Sequence, residues 1–334
     1  MILKQRLNDS TIKPLNHLTR SGDWLMSTHL FRAFVFAHIV ISALSLFPAY
    51  AAGEQSGLKD VRPSVLAGTW YPGSQDALAK SIAEYLSRVK PPHIDGKLKA
   101  VIVPHAGHRY SGQVAAHAYR LLAGSHFRRV ILVGPSHQMS FEGVSVNLQS
   151  GYKTPLGVVP VDQKMAKRIL DSGPHIRWLR RAHVHEHSLE IQLPFLQTVL
   201  NDFQIVPILM GQQDYDTCSR LANTLVQVMG NAEDTLILAS SDLSHFYPYD
   251  QARALDLEFI KRVKGFDPEG LARDLSAGKC KACGDGPVIT TLLAARKLGA
   301  DRAVVLNYAN SGDVTGDHSS VVGYMAAALY CARP

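Results

Sequence analysis

What most constrains this chain is an alternation of two patterns. Short apolar, β-branched runs recur at Ala100–Val103, Val130–Gly134, Gln204–Met210, Thr235–Ser240, Val304–Tyr308 and Val321–Ala327. Helical patterns occupy the intervals, at Ser74–Val89, Gly112–Leu122, Gln163–Ser172, Leu189–Leu200, Asp216–Met229, Tyr249–Lys264 and Pro287–Leu298. Runs that are almost wholly apolar suit strands buried on both faces, and helices between strands are what parallel pairing demands. The expectation is an α/β fold: a single domain with a largely parallel or mixed central sheet, covered by helices on both faces. No repeat, low-complexity linker or shift of composition divides residues 58–332, so they form one domain.

The N-terminal segment reads differently. Ala33–Phe47 is a nearly unbroken apolar run, preceded by Arg32 and followed by Pro48-Ala49-Tyr50-Ala51. A basic lead, an apolar core of this length and an A-x-A site describe a secretory signal peptide over residues 1–51, with an extended n-region. Met26 would give a start of more usual length. The run is short of the ~20 residues a spanning helix needs, so an uncleaved anchor is the alternative. An exported, periplasmic protein cleaved near Ala52, with no stable membrane insertion, is expected.

Charge excludes one class of partner. Residues 1–51 hold five of the 35 Lys/Arg and two of the 28 Asp/Glu, leaving 30 against 26 in the remainder. That small excess, with no basic run and no aromatic-rich basic stripe, argues against nucleic acid. Four cysteines, Cys218, Cys280, Cys283 and Cys331, are too few for a disulfide scaffold.

The chemistry-bearing residues follow the strands. Ala100–Val103 runs into Pro104-His105-Ala106-Gly107-His108, Val130–Gly134 into Pro135-Ser136-His137, and Thr235–Ser240 into Ser241-Asp242-Leu243-Ser244-His245. Ligands of open α/β sheets bind beyond the carboxyl ends of strands, so three strands deliver His, His and an Asp/His pair to one edge. Asp242 and His245 would both face that crevice if they formed a first helical turn; the alternative has Asp242 capping the helix near Tyr249 or satisfying loop amides. Cys280-Lys281-Ala282-Cys283 precedes a helix near Pro287, whose dipole would favour a metal-binding thiolate. A redox pair, a Cys280–Cys283 disulfide or half a zinc knuckle fit the same spacing. In His183-Val184-His185-Glu186-His187-Ser188-Leu189-Glu190, Glu186 and Glu190 either complement a helix N-terminus or, for Glu186 and His187, serve a metal as acid/base groups.

Taken together, Val61-Arg62-Pro63, Ala67-Gly68-Thr69-Trp70-Tyr71-Pro72, Val103-Pro104-His105-Ala106-Gly107, Gly134-Pro135-Ser136-His137, Glu186-His187-Ser188-Leu189-Glu190, Ser240-Ser241-Asp242-Leu243 and Cys283-Gly284 resemble the signature blocks of the Memo family. Its bacterial members are called AmmeMemoRadiSam system protein B. The resemblance implies a fold related to class III extradiol dioxygenases. It also implies one transition metal ion held by His105, His137 and Cys283: Fe(II) first, copper or zinc otherwise. Asp242, His245, Glu186 and His187 would line the pocket as acid/base or supporting groups, with Trp70 and Tyr110 as aromatic walls. His108-Arg109 departs from the family pattern, which usually carries an aromatic there. The activity implied is dioxygenase-like redox chemistry on a small molecule. A peptide- or metal-binding module without turnover, and a metal-dependent hydrolase, are the alternatives. The family name also points to radical-SAM and AMMECR1-like partners.

Overall fold

Four strands that are buried over most of their length form the centre of the molecule. The computed structural model describes residues 58–230 and 232–332, so the expected signal segment lies outside the described residues. In chain order the elements are β1 (Val61–Arg62), α1 (Gln75–Ser87), β2 (Gly96–Val103), α2 (His108–Leu122), β3 (Arg129–Pro135), β4 (Val144–Val146), β5 (Gly151–Thr154), β6 (Gly157–Pro160), α3 (Gln163–Leu170), β7 (Ile176–Arg177) and α4 (Arg180–Val184). There follow a 3-10 turn (Glu190–Gln192), α5 (Leu193–Val199), β8 (Gln204–Met210), α6 (Tyr215–Met229), β9 (Thr235–Ser240), β10 (His245–Tyr247), α7 (Tyr249–Lys264), α8 (Pro268–Ser276), α9 (Asp285–Lys297), β11 (Arg302–Asn310), α10 (Ser311–Thr315) and β12 (Val321–Ala332).

The main sheet has the order β10-β12-β2-β9-β3-β8-β4-β7, with β11 on the other side of β12. Its core, β2-β9-β3-β8, is parallel, whereas β12, β11, β10 and β4 pair antiparallel at its flanks. The sheet is therefore mixed. A smaller sheet, β1-β5-β6, lies apart from it.

Parallel pairing aligns the carboxyl ends of three neighbours. Val103 of β2 pairs with Ser240 of β9, and Val133 of β3 pairs with Ala239. His105, His137 and Asp242 each sit two residues beyond the end of one of these strands. They meet because β9 runs between β2 and β3.

Helices cover the sheet by the periodicity of their apolar residues. On α2, Val114, Ala115, Ala118, Tyr119 and Leu122 are buried, a stripe of i, i+3 and i+4 spacings. Helix α9 is apolar nearly all round and contacts both α6 and the sheet, as a fully buried helix must. Two expected helices change at their ends. The pattern over Leu189–Leu200 breaks into the 3-10 turn and α5, because Pro194 has no N–H and is accommodated only in a first turn. Helix α2 starts four residues before the expected Gly112, at His108, its polar first turn carrying no apolar signal.

Candidate metal centre

The site is assembled from backbone amides outward. Beyond β9, the carboxylate of Asp242 accepts the amide of His105 at 2.7 Å and that of Ala106 at 3.3 Å, tying the β2 loop to the β9 loop. The expected helical turn between Asp242 and His245 does not form. Residues 241–244 are irregular and His245 opens β10, because Leu243 and Ser244 are drawn into pairing with Gly323 of β12. Asp242 and His245 nevertheless line the same cleft. Burial pushes the Asp242 carboxyl up to about 7 despite the two amides that favour its charge.

His105 is 1% exposed, and its Nδ1 lies 3.0 Å from the Ser240 hydroxyl. The network behind that hydroxyl fixes the tautomer. Tyr119 donates to Gln192 Oε1 at 2.5 Å, Gln192 Nε2 donates to Ser240 Oγ at 2.8 Å, and Ser240 donates its single proton to the Ser188 carbonyl at 2.6 Å. Ser240 Oγ can then only accept from His105, so Nδ1 carries the proton and Nε2 presents a lone pair.

His137 is set the same way by a different acceptor. Its Nδ1 lies 2.9 Å from Glu186 Oε1, and its backbone amide donates to Oε2 at 2.6 Å. Glu186 also accepts the amides of His187 and Ser188, each at 3.0 Å. Burial alone would raise this carboxyl, but the bonds from His137 and Ser188 and the adjacent imidazoles outweigh it and hold it at about 2. An ionised carboxylate behind Nδ1–H leaves His137 Nε2 as the free acceptor.

The third ring is His187. It stacks on His137 at 4.3 Å between centroids, meets His105 edge-on at 5.4 Å, and is covered by Trp70 at 4.6 Å. Burial depresses it to about 4, with Glu186 pulling the other way. One nitrogen from each of His105, His137 and His187 lies within 4.8 Å of the others, a spacing that can hold a metal ion.

Cys283 meets the same ring, its Sγ 3.0 Å from His105 Nε2, although its sulfur is not one of the atoms that converge in the three-histidine cluster. Gly284 makes this approach possible, since a Cβ there would collide with the Ser240 carbonyl at the end of β9. The start of α9 was expected to favour the thiolate, yet burial pushes this thiol well above its ordinary range. Here desolvation, with the Asp242 carboxylate adding to it, outweighs the helix dipole. All four cysteines are free: Cys280 is wholly inside the core while Cys283 faces His105, so the disulfide reading is set aside.

Around these groups opens a cleft of about 760 Å³. Its lining includes Trp70, Tyr110, Arg109, Phe246, Asp317 and Tyr324. The ring of His245 points its Nδ1 at the Leu243 carbonyl 2.8 Å away, leaving Nε2 as its other nitrogen. Glu190 has no place here and caps no helix. It is wholly buried, binds Arg62 at 2.5 Å, and gathers Ser64, Tyr71 and the amides of Val65 and Leu66.

Sequence reading missed Ser240, Gln192 and Tyr119, whose partners lie 48 and 73 residues apart along the chain. Ser240 alone carried a signal, as the last residue of an apolar strand. Phe246 also went unremarked; its neighbour His245 was the available cue.

Comparison with known proteins identifies the family. The Memo-like protein family matches residues 62–328. A MEMO1 family protein of Methanothermobacter thermautotrophicus is 39% identical over 230 residues, covering 68% of this chain and 83% of the relative. Another, from Methanopyrus kandleri, is 36% identical over 276 residues, 79% of this chain and 97% of the relative. One from Sulfolobus acidocaldarius is 41% identical over 241 residues, 71% and 84% respectively. A solved structure of an uncharacterized protein from Escherichia coli K12 aligns with 69% of this chain and 99% of its own at a TM-score of 0.46 and 12% identity, too distant to inform the site. Matched across nearly all its described residues, the chain belongs to the Memo-like protein family.

Proposed function

We propose that this protein is a mononuclear metal-dependent redox protein of dioxygenase-like character, using iron first and copper as the alternative. The observation that carries the reading is the pair of fixed tautomers. His105 and His137 each spend Nδ1–H on an acceptor, Ser240 or Glu186, and so hold Nε2 ready as donors. Imidazole and thiol donors suit iron, copper and zinc, and the set fits such an ion.

His105 and His137 would hold the metal together with the Cys283 sulfur, which already touches His105 Nε2. Binding would release the thiol proton that burial now retains. A second ligand set replaces Cys283 by His187, favoured by the convergence of the three rings. When bound, such a metal supplies an open coordination position for oxygen-dependent chemistry.

The chain's own groups divide the remaining work. Glu186 is spent on His137 and the amides of residues 137, 187 and 188, so it orients a ligand and is not free as a general base. That weighs against hydrolysis. Asp242, held near neutrality by burial, and His245 are the groups placed to take or give a proton beside the substrate. Trp70 shields His187 and walls the cleft. Export to the periplasm is part of the same proposal and rests on the apolar run at residues 33–47.

Metal analysis of purified protein, with Cys283→Ser and His187→Ala side by side, tests the assignment. One ion per chain is expected, with a thiolate-to-metal absorption band that C283S abolishes and H187A retains. A C283S protein that keeps its metal while H187A loses it would replace the thiolate set with three histidines. Failure of the wild-type chain to bind iron, copper or zinc sinks the proposal.

A further inference from the structure

Arg109 is the first residue of interest in the outer cleft. It follows His108 on the first turn of α2, lies exposed and lines the cleft beside Tyr110. Its guanidinium stands 5.8 Å from the Tyr110 ring, and it forms no ion pair among the described residues. A cation aimed at a cavity without an acid partner is available to a ligand's charge.

A second observation concerns Phe246, which lines the same cleft. Phe246 is 76% exposed, and its backbone sits at φ +64°, a conformation costly for a bulky side chain. The register of β10 against β12 slips between His245 and Tyr247, so Phe246 is the bulged residue. Bulges re-aim side chains, and this one sets a phenyl ring on the rim with its centroid 5.6 Å from that of His245. Trp70 and Tyr110, 37% and 38% exposed, are further aromatic surfaces of the same cavity. Neither the strain nor the exposure serves the core.

We infer that the substrate is a planar aromatic carboxylate, its ring received by Trp70, Tyr110 and Phe246 and its anionic group held by Arg109. The inference rests on reading the cleft as a metal-centred active site and adds the class of molecule it admits. A carboxylate is preferred to a phosphate on charge. One guanidinium matches one negative charge, and Asp317, which lines the same cleft and is held ionised by Ser319, repels a dianion. The ring supplies apolar area, while the carboxylate fixes orientation through a forked, charge-assisted contact.

Ligand-observed NMR and tryptophan fluorescence on the full chain, prepared without metal, read this directly. Benzoate is the probe; benzamide, acetate and phenyl phosphate are its comparators. Wild-type protein should bind benzoate about tenfold more tightly than benzamide, the value of roughly one charge-assisted contact. Arg109→Gln should erase that preference and Arg109→Lys keep part of it, while Phe246→Ala should weaken benzoate and benzamide alike. Equal affinity for benzoate and benzamide in the wild type, or an undiminished preference in R109Q, overturns the role of Arg109. Acetate binding as well as benzoate overturns the aromatic part, and phenyl phosphate binding more tightly overturns the carboxylate. Metal content is measured separately, so loss of the metal reading would show there and not in these affinities.

Discussion

Replacing Glu190 by Gln changes one atom and tests how the N-terminal segment is fastened. Glu190 is 0% exposed and Arg62 1%, and they meet at 2.5 Å. Besides Glu190, Arg62 binds the His183 carbonyl at 2.6 Å and the Glu186 carbonyl at 2.8 Å, and lies 4.8 Å from the Tyr152 ring centroid. Carbonyls can satisfy its N–H groups but cannot neutralise its charge. E190Q therefore leaves a buried guanidinium uncompensated, which costs about 3–5 kcal/mol. The new amide also brings a donor among Ser64, Tyr71, Val65 and Leu66, all of which donate to the carboxylate. Arg62→Met strands the opposite charge at a similar cost. The double variant strands neither, so its loss should fall below the sum of the singles by about 2–3 kcal/mol. Urea unfolding followed by far-UV circular dichroism gives the cycle. Single-variant losses that add to within about 0.5 kcal/mol would refute the argument, since two independent sites behave that way.

Other outcomes follow from the same structure. Glu186→Gln should lower metal affinity roughly 10–100-fold, by removing the charged acceptor behind His137, while equilibrium dialysis against wild type supplies the comparison. Ser240→Ala should weaken metal binding too, and 15N NMR of His105 should then show both tautomers; a single unchanged tautomer would contradict the network. His183 is wholly buried between Ser145 and Tyr152 and depressed to about 3 by burial, with Arg62 adding to it. Its folded pKa lies below its unfolded value, so stability present above pH 6.5 should fall as pH drops toward 3, by on the order of 4 kcal/mol. His183→Gln should flatten that stretch of the stability curve. N-terminal sequencing from a native host should find a chain beginning near Ala52; an intact Met1 or Met26 would exclude cleavage.

The parts of this fold that the sequence announces are those where burial is two-sided. Thr235–Ser240 and Gln204–Met210 coincide to the residue with β9 and β8, because a strand covered on both faces must be apolar throughout. The small sheet was illegible: β1, β5 and β6 are two to four residues long and mix Gly, Lys, Thr and Arg with few apolar side chains. His105 and His137 were visible as residues beyond strands. That His187 joins them, and that Glu190 does not, depended on distant partners, since Glu190 is claimed by Arg62 and Tyr71, 128 and 119 residues away. Glu186 and Glu190, four residues apart, diverge in role because the chain between them is irregular and the 3-10 turn begins only at Glu190. Arg109 stood out only as a departure, and its meaning needed the cavity.

The chain of hydrogen bonds from Tyr119 to His105 has a consequence for proton traffic. Its links converge on Ser240, whose own proton goes to the Ser188 carbonyl, and Gln192 spends its other donor bond on the Pro104 carbonyl, so no member offers a basic acceptor to which the Nδ1 proton of His105 could pass. His137 is tethered likewise to an ionised Glu186. Both rings are thereby excluded as shuttles: a ring that released Nδ1–H would place a second negative charge against Glu186, or a lone pair against Ser240. In the redox reaction proposed above, the mobile protons come instead from two other groups of the cleft, Asp242, with a pKa near 7, and His245, which offers Nε2. Solvent isotope effects and pH–rate profiles of this protein should report Asp242 and His245 while remaining silent on the two rings at its centre.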